Sequence, residues 1–154
     1  MKKYITLSIF YAVLAMAAGI FYREFTKLFH FTQYTTLSTV HVHLFALGMI
    51  FVLLIGLYRD KLNLKQNKLY TTSFLVYNVF LLFMALMLLI KGILQVNGSS
   101  IPMLLTIGSG ISHTGLGISM ILVLLSLLKA SKQIHKKGSQ NGISHAYLTG
   151  DISK

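Results

Sequence analysis

Four long apolar runs, separated by short polar connections, dominate the pattern of the chain. The runs cover residues 4–22, 37–58, 70–90 and 101–128. Each is at least as long as the stretch of about 20 residues that crosses the hydrocarbon of a bilayer as a helix. The pattern predicts an all-α integral membrane protein in which residues 1–130 form a bundle of four transmembrane helices. Residues 131–154 are expected to form a mobile, basic cytoplasmic tail.

The composition and the positions of the charges agree with a membrane topology. Hydrophobic residues make up 55% of the chain and charged residues 11%. Lys and Arg are concentrated before the first run, between the second and third, and after the fourth, so these segments and both termini are expected in the cytoplasm. The formal net charge of +11 follows from this topology. Anionic headgroups of the lipid bilayer are therefore the expected partner, and a nucleic acid is not.

Three histidines lie within the apolar runs, namely His41, His43 and His113. An ionisable side chain in hydrocarbon costs a few kcal/mol unless it is paired, ligated or facing a cavity. All three are expected at a similar depth, because both helices enter the membrane from its outer side. These histidines predict a metal or metalloporphyrin site between the helices. The structural alternative is that they form hydrogen bonds to hydroxyl groups of neighbouring helices.

Helix geometry limits how the histidines can share a ligand. His41 and His43 point roughly 160° apart on a regular helix, so each must serve a different neighbour. His41 shares its face with Gly48, where a flat cofactor or another helix can approach closely. Gly110 and Gly117 lie on the same face as His113. We expect them to line a groove for a porphyrin, and the alternative is close packing of helices through small residues.

Arg23 follows the first apolar run on the outer side, at a depth near that of the histidines. A guanidinium group at this position is expected to bind a carboxylate such as a haem propionate. Contact with lipid headgroups and an ion pair with Glu24 are the alternatives.

The segment His41–Phe51 resembles the helix of haem-copper oxidases and nitric-oxide reductases that carries a His-x-His motif. In those proteins one histidine of the motif ligates a low-spin haem and the other a high-spin haem. The resemblance implies haem ligation in this chain. Four apolar runs, without the further histidines of a copper site, do not imply oxygen reduction.

Over nearly its whole length the chain also resembles a family of small four-span bacterial membrane proteins of unknown function. The segments that carry this resemblance are Phe21–Lys27, Thr35–His43 and Ile111–Gly115. It implies a location in the bacterial cytoplasmic (inner) membrane and supplies no activity. It also implies that Arg23 belongs to the same pattern as the histidines.

Three functional interpretations follow. The first is a protein that binds haem b through His113 and either His41 or His43, for electron transfer with a redox partner, haem handling or gas sensing. The opposite directions of His41 and His43 also allow a second haem, or a Cu or Zn ion, at a site completed by a second copy in a homodimer. The second interpretation is a haem-free protein that binds or transports Cu or Zn through these histidines and nearby methionines. The third is a structural or assembly subunit, and in none is the chain expected to be a stand-alone enzyme.

Overall fold

The computed structural model describes the backbone of residues 1–62, 64 and 67–149, and the side chains of residues 1–59, 61–62, 64 and 67–133. All regular secondary structure in this described part is helical. Helix α1 is Lys2–Leu28, and the second span consists of α2, a π-helical segment and α3. These three elements are Leu37–His43, Leu44–Phe51 and Val52–Lys61, and they are followed by α4, Lys68–Val96, and α5, Met103–Thr149.

Four helical stretches of the described residues are long and apolar enough to cross a membrane. They are Lys2–Leu28, Leu37–Arg59, Lys68–Val96 and Met103–Gln133. The predicted all-α, four-span architecture is therefore confirmed.

Helix α5 does not end with the apolar run, because its backbone stays helical to Thr149. The chain's one proline, Pro102, lies before this helix, so no proline interrupts it. Residues 131–149, predicted as a tail, are thus helical, and their mobility stays a prediction. Residues 150–154 of the predicted tail lie outside the described part of the chain.

The four spans run antiparallel, and some pairs of helices contact each other more extensively than others. Helix α1 packs along the second span, the second span also packs on α4, and α4 packs on α5. Contacts between the second span and α5 are sparse by comparison. Helix α4 therefore lies between the second span and α5 and packs against both. We call the end of the bundle with the connections 29–36 and 97–102 the distal end, and the opposite end the proximal end.

A cluster of hydrogen bonds at the distal end fixes the start of α2 on α4. The Thr36 backbone N–H donates to Gln95 Oε1 at 2.8 Å, and Thr36 Oγ1 donates to the Leu88 carbonyl at 2.9 Å. Gly92 permits this contact, because a Cβ atom there would lie 2.7 Å from the backbone nitrogen of Leu37. These hydrogen bonds, which we call the Thr36–Gln95 clamp, fix the position of α2 and of the two histidines on it.

The π-helical segment begins directly after His43. A π-helix changes the hydrogen-bond spacing to i→i+5. The Leu47 carbonyl, within this segment, accepts a hydrogen bond of 2.8 Å from the hydroxyl of Tyr77 on α4. Tyr77 is fully buried. Since an unsatisfied carbonyl in hydrocarbon is costly, Tyr77 stabilises the segment that follows the histidines.

The variant Tyr77→Phe is expected to lower the free energy of unfolding by about 1–2 kcal/mol, because it removes the hydroxyl donor and leaves the Leu47 carbonyl buried. Tyr58→Phe is the matched control, since Tyr58 is 52% exposed. Equilibrium unfolding in mixed micelles measures both. Equal stabilities of the two variants would contradict the role assigned to Tyr77.

Candidate functional site

Two of the three predicted histidines meet between the second span and α5. The ring centroids of His43 and His113 are 6.1 Å apart, and the ring planes are inclined by 82°. At metal–nitrogen distances of about 2 Å, two imidazoles on opposite sides of one metal ion have ring centres roughly 6 Å apart. The centroid separation of the His43–His113 pair matches this distance. We call the space around this pair, between α2 and α5, the histidine slot.

Both rings of the pair are oriented by their own helices. Nδ1 of His43 lies 2.9 Å from the Thr39 carbonyl oxygen, and Nδ1 of His113 lies 2.9 Å from the Ser109 carbonyl oxygen. A carbonyl oxygen only accepts, so each Nδ1 carries the hydrogen and each Nε2 keeps its lone pair. Metal-binding histidines use this arrangement, in which a second hydrogen bond fixes the tautomer and the ring.

His41 lies on the other side of the second span, against α1. Its ring stacks on Tyr22 with centroids 6.4 Å apart and planes inclined by 17°, and a Cβ atom on Gly19 would lie 3.7 Å from it. Its Nδ1 is buried and has no hydrogen-bond partner among the described residues. The opposite directions predicted for His41 and His43 are confirmed. The structure pairs His113 with His43 and leaves His41 outside the slot.

Gly48, on the His41 side of the second span, allows α1 to pack closely against this span. A Cβ atom on Gly48 would lie 2.6 Å from the ring of Tyr11, which occupies the space over the glycine. The Tyr11 hydroxyl continues across the bundle and donates to Asn78 Oδ1 at 2.7 Å. Of the two alternatives for Gly48, the close approach of another helix is the one present, because Tyr11 of α1 occupies the space over the glycine.

The glycines of α5 divide between two faces. A Cβ atom on Gly115 would clash with the ring of Phe80 on α4, so this glycine is needed for packing. No described atom lies within 4 Å of a Cβ built on Gly110 or Gly117. These two stand one turn on either side of His113, whose side chain is exposed. Close packing through a small residue is therefore present at Gly115, whereas the face of Gly110 and Gly117 beside His113 is open.

Arg23 lies away from the histidine slot. Its Nε atom is 3.5 Å from Glu24 Oε1, and the two side chains are 79% and 58% exposed. Arg23 follows Tyr22, which stacks on His41, so it stands on the side of the second span opposite His43. The ion pair with Glu24, one of the alternatives for Arg23, is present in the structure. An exposed pair of this kind contributes little to stability.

The donor set of the slot consists of two imidazoles. Among the described residues no group of three or more His, Cys, Asp or Glu side chains could hold a metal ion. Structural Zn sites usually have four protein ligands and catalytic ones three, whereas a haem needs one or two because the porphyrin supplies four nitrogens. The donors present fit a haem.

The hydrogen bond of Tyr77 and the Thr36–Gln95 clamp fix the position of the second span, which carries His43. Neither contact was predicted from the sequence. A tyrosine in the middle of an apolar run is a signal for Tyr77, since its hydroxyl needs a partner in hydrocarbon. The partner is a π-helical carbonyl, and no residue type in the sequence indicates it.

A family model matches residues 1–130 of the chain. The matching family is described as "Protein of unknown function (DUF2871)". No curated protein and no solved structure matches the chain. The likeness of His41–Phe51 to the helix of haem-copper oxidases thus stays a prediction from the sequence.

Gly115→Ala is expected to lower the free energy of unfolding by about 1–3 kcal/mol, because the added methyl group would displace the Phe80 ring. Gly117→Ala is the matched control on the same helix, and the removal of glycine alone favours the helix equally at both positions. Equilibrium unfolding of the two variants tests this division of the glycines. If Gly117→Ala were as destabilising as Gly115→Ala, the face beside His113 would not be open.

Proposed function

Because the chain belongs to DUF2871, a family of unknown function, we propose its function from the site itself: it is a membrane-embedded protein that binds haem b between His43 and His113. The observation that carries this proposal is the pair of imidazoles with ring centroids 6.1 Å apart, in which each Nδ1 is hydrogen-bonded to a backbone carbonyl oxygen of its own helix. The chain contains no cysteine, so the haem is held without thioether bonds.

Electron transfer is the role that two histidine ligands favour. If His43 and His113 both held the haem iron through Nε2, no coordination position would stay open for a gas or a substrate. The bound haem supplies one-electron redox chemistry. The carbonyls of Thr39 and Ser109 hold both imidazoles in the required tautomer. The Thr36–Gln95 clamp and the bond from Tyr77 to the π-helical segment fix the position of α2.

The topology that accompanies this function follows from the basic residues. We propose that both termini face the cytoplasm of a bacterium and that the distal end faces outward. His43 lies six residues after the start of α2, about 9 Å along the helix, so the slot is in the distal half of the membrane. A redox partner would therefore exchange electrons with the haem from the outer side.

Purified chain, expressed with a supply of haem, is expected to show a Soret band and sharp α and β bands after reduction with dithionite. His43→Ala and His113→Ala are each expected to lose these bands, because each removes one axial ligand. His41→Ala is the matched control: it removes an imidazole from the same helix turn, on the opposite side, and is expected to keep the spectrum. Visible absorption spectra of the oxidised and reduced proteins measure all four.

A colourless wild-type protein under haem-replete conditions would contradict the proposal. So would a spectrum that depends on His41 and survives the loss of His43. In the colourless case, analysis of bound copper and zinc would decide between an ion site and a structural bundle.

A further inference from the structure

Lys91 lies near the distal end of α4, the helix that packs against both the second span and α5, the two elements that carry His43 and His113. It is half-buried, and it shares a face of α4 with Leu88 and Gln95, the residues that hold the start of α2. Glu24, the acidic residue near the distal end, pairs with Arg23 on α1. Lys91 therefore has no carboxylate partner among the described side chains.

The register of α4 against α5 places Lys91 distal to the slot. Met87 packs on Gly108, where a Cβ atom would lie 3.1 Å from the methionine sulfur. Gly108 precedes His113 by five residues and Lys91 follows Met87 by four, so the Lys91 backbone lies about 13 Å distal to His113. Because α4 runs from the proximal to the distal end, its side chains tilt back toward the proximal end. The long stem of Lys91 thus leans toward the slot.

A pair of hydroxyl groups borders the same end of the slot on the α2 side. The hydroxyl of Tyr34 and Oγ1 of Thr39 are hydrogen-bonded at 2.8 Å. Thr39 lies one turn, about 6 Å, distal to His43 and accepts the hydrogen bond from its ring. Lys91 on α4, Thr39 on α2 and Tyr34 in the connection before α2 thus lie toward the distal end of the slot, while Gly117 lies toward its proximal end.

We propose that Lys91, together with the Tyr34–Thr39 hydroxyl pair, anchors the carboxylates of a tetrapyrrole held by His43 and His113. This inference rests on the proposed function and adds the orientation of the ligand and its chemical class, a tetrapyrrole with free carboxylates on one edge. That edge faces the distal end, where an ammonium–carboxylate hydrogen bond at a half-buried position is stronger than one in water. It assigns to Lys91 the role that the sequence indicated for Arg23.

The test compares Lys91→Met with Lys27→Met in the full-length chain, prepared without haem in a non-ionic detergent. Lys27 is the matched control, because it lies in the last turn of α1 at the same distal end. Each protein is titrated with iron protoporphyrin IX and with its dimethyl ester, which lacks the carboxylate charges. Lys91→Met is expected to bind the free acid about tenfold more weakly and the ester within twofold of wild type. Lys27→Met is expected to bind both like wild type.

Tyr34→Phe, which keeps the ring and every charge, is expected to show a smaller loss that is again confined to the free acid. An equal loss of both porphyrins in Lys91→Met would assign the lysine to packing and overturn the inference. Unchanged binding of the free acid would overturn it as well. In both of these cases, if the wild-type protein binds both porphyrins through His43 and His113, the proposed function stands and only the role assigned to Lys91 fails. If wild type binds neither, both fail.

Discussion

The need to satisfy every buried polar group in hydrocarbon is the constraint on which this structure depends. Each imidazole has two nitrogens, and for His43 and His113 the helix itself satisfies Nδ1 through a carbonyl four residues earlier. The same constraint explains why Tyr77 meets the π-helical carbonyl of Leu47. The helices thus satisfy one nitrogen of each ring, and the proposed haem would be held by the other nitrogen, Nε2, of His43 and of His113.

The architecture could be predicted from the sequence, because the thickness of the bilayer fixes the length of each apolar run. The opposite directions of His41 and His43 also follow from the period of a helix. Which of the two meets His113 could not be predicted, since this depends on which helix lies on each side of the second span. The ring of Tyr11 over Gly48 brings α1 to the His41 side, and no local pattern encodes that contact.

The glycines of α5 show a second limit of sequence reasoning. Gly115 and Gly117 are two residues apart in one run of small residues, and the local sequence does not distinguish their surroundings. In the structure Gly115 receives a phenylalanine ring, and Gly117 borders open space beside His113. The difference comes from the register of α4 on α5, which is a property of the folded pair. The π-helical segment after His43 is likewise visible only in the structure, although such segments occur frequently at functional sites.

The central claim is that one metal is held by His43 and His113 together. Electron paramagnetic resonance of the haem-loaded, oxidised protein at low temperature tests it most directly, because the signal of ferric haem reports its axial ligands. The account predicts a low-spin signal from wild type and from His41→Ala, and the loss of that signal in His43→Ala and His113→Ala. A high-spin signal in wild type, or a low-spin signal that survives the loss of His43, would contradict it.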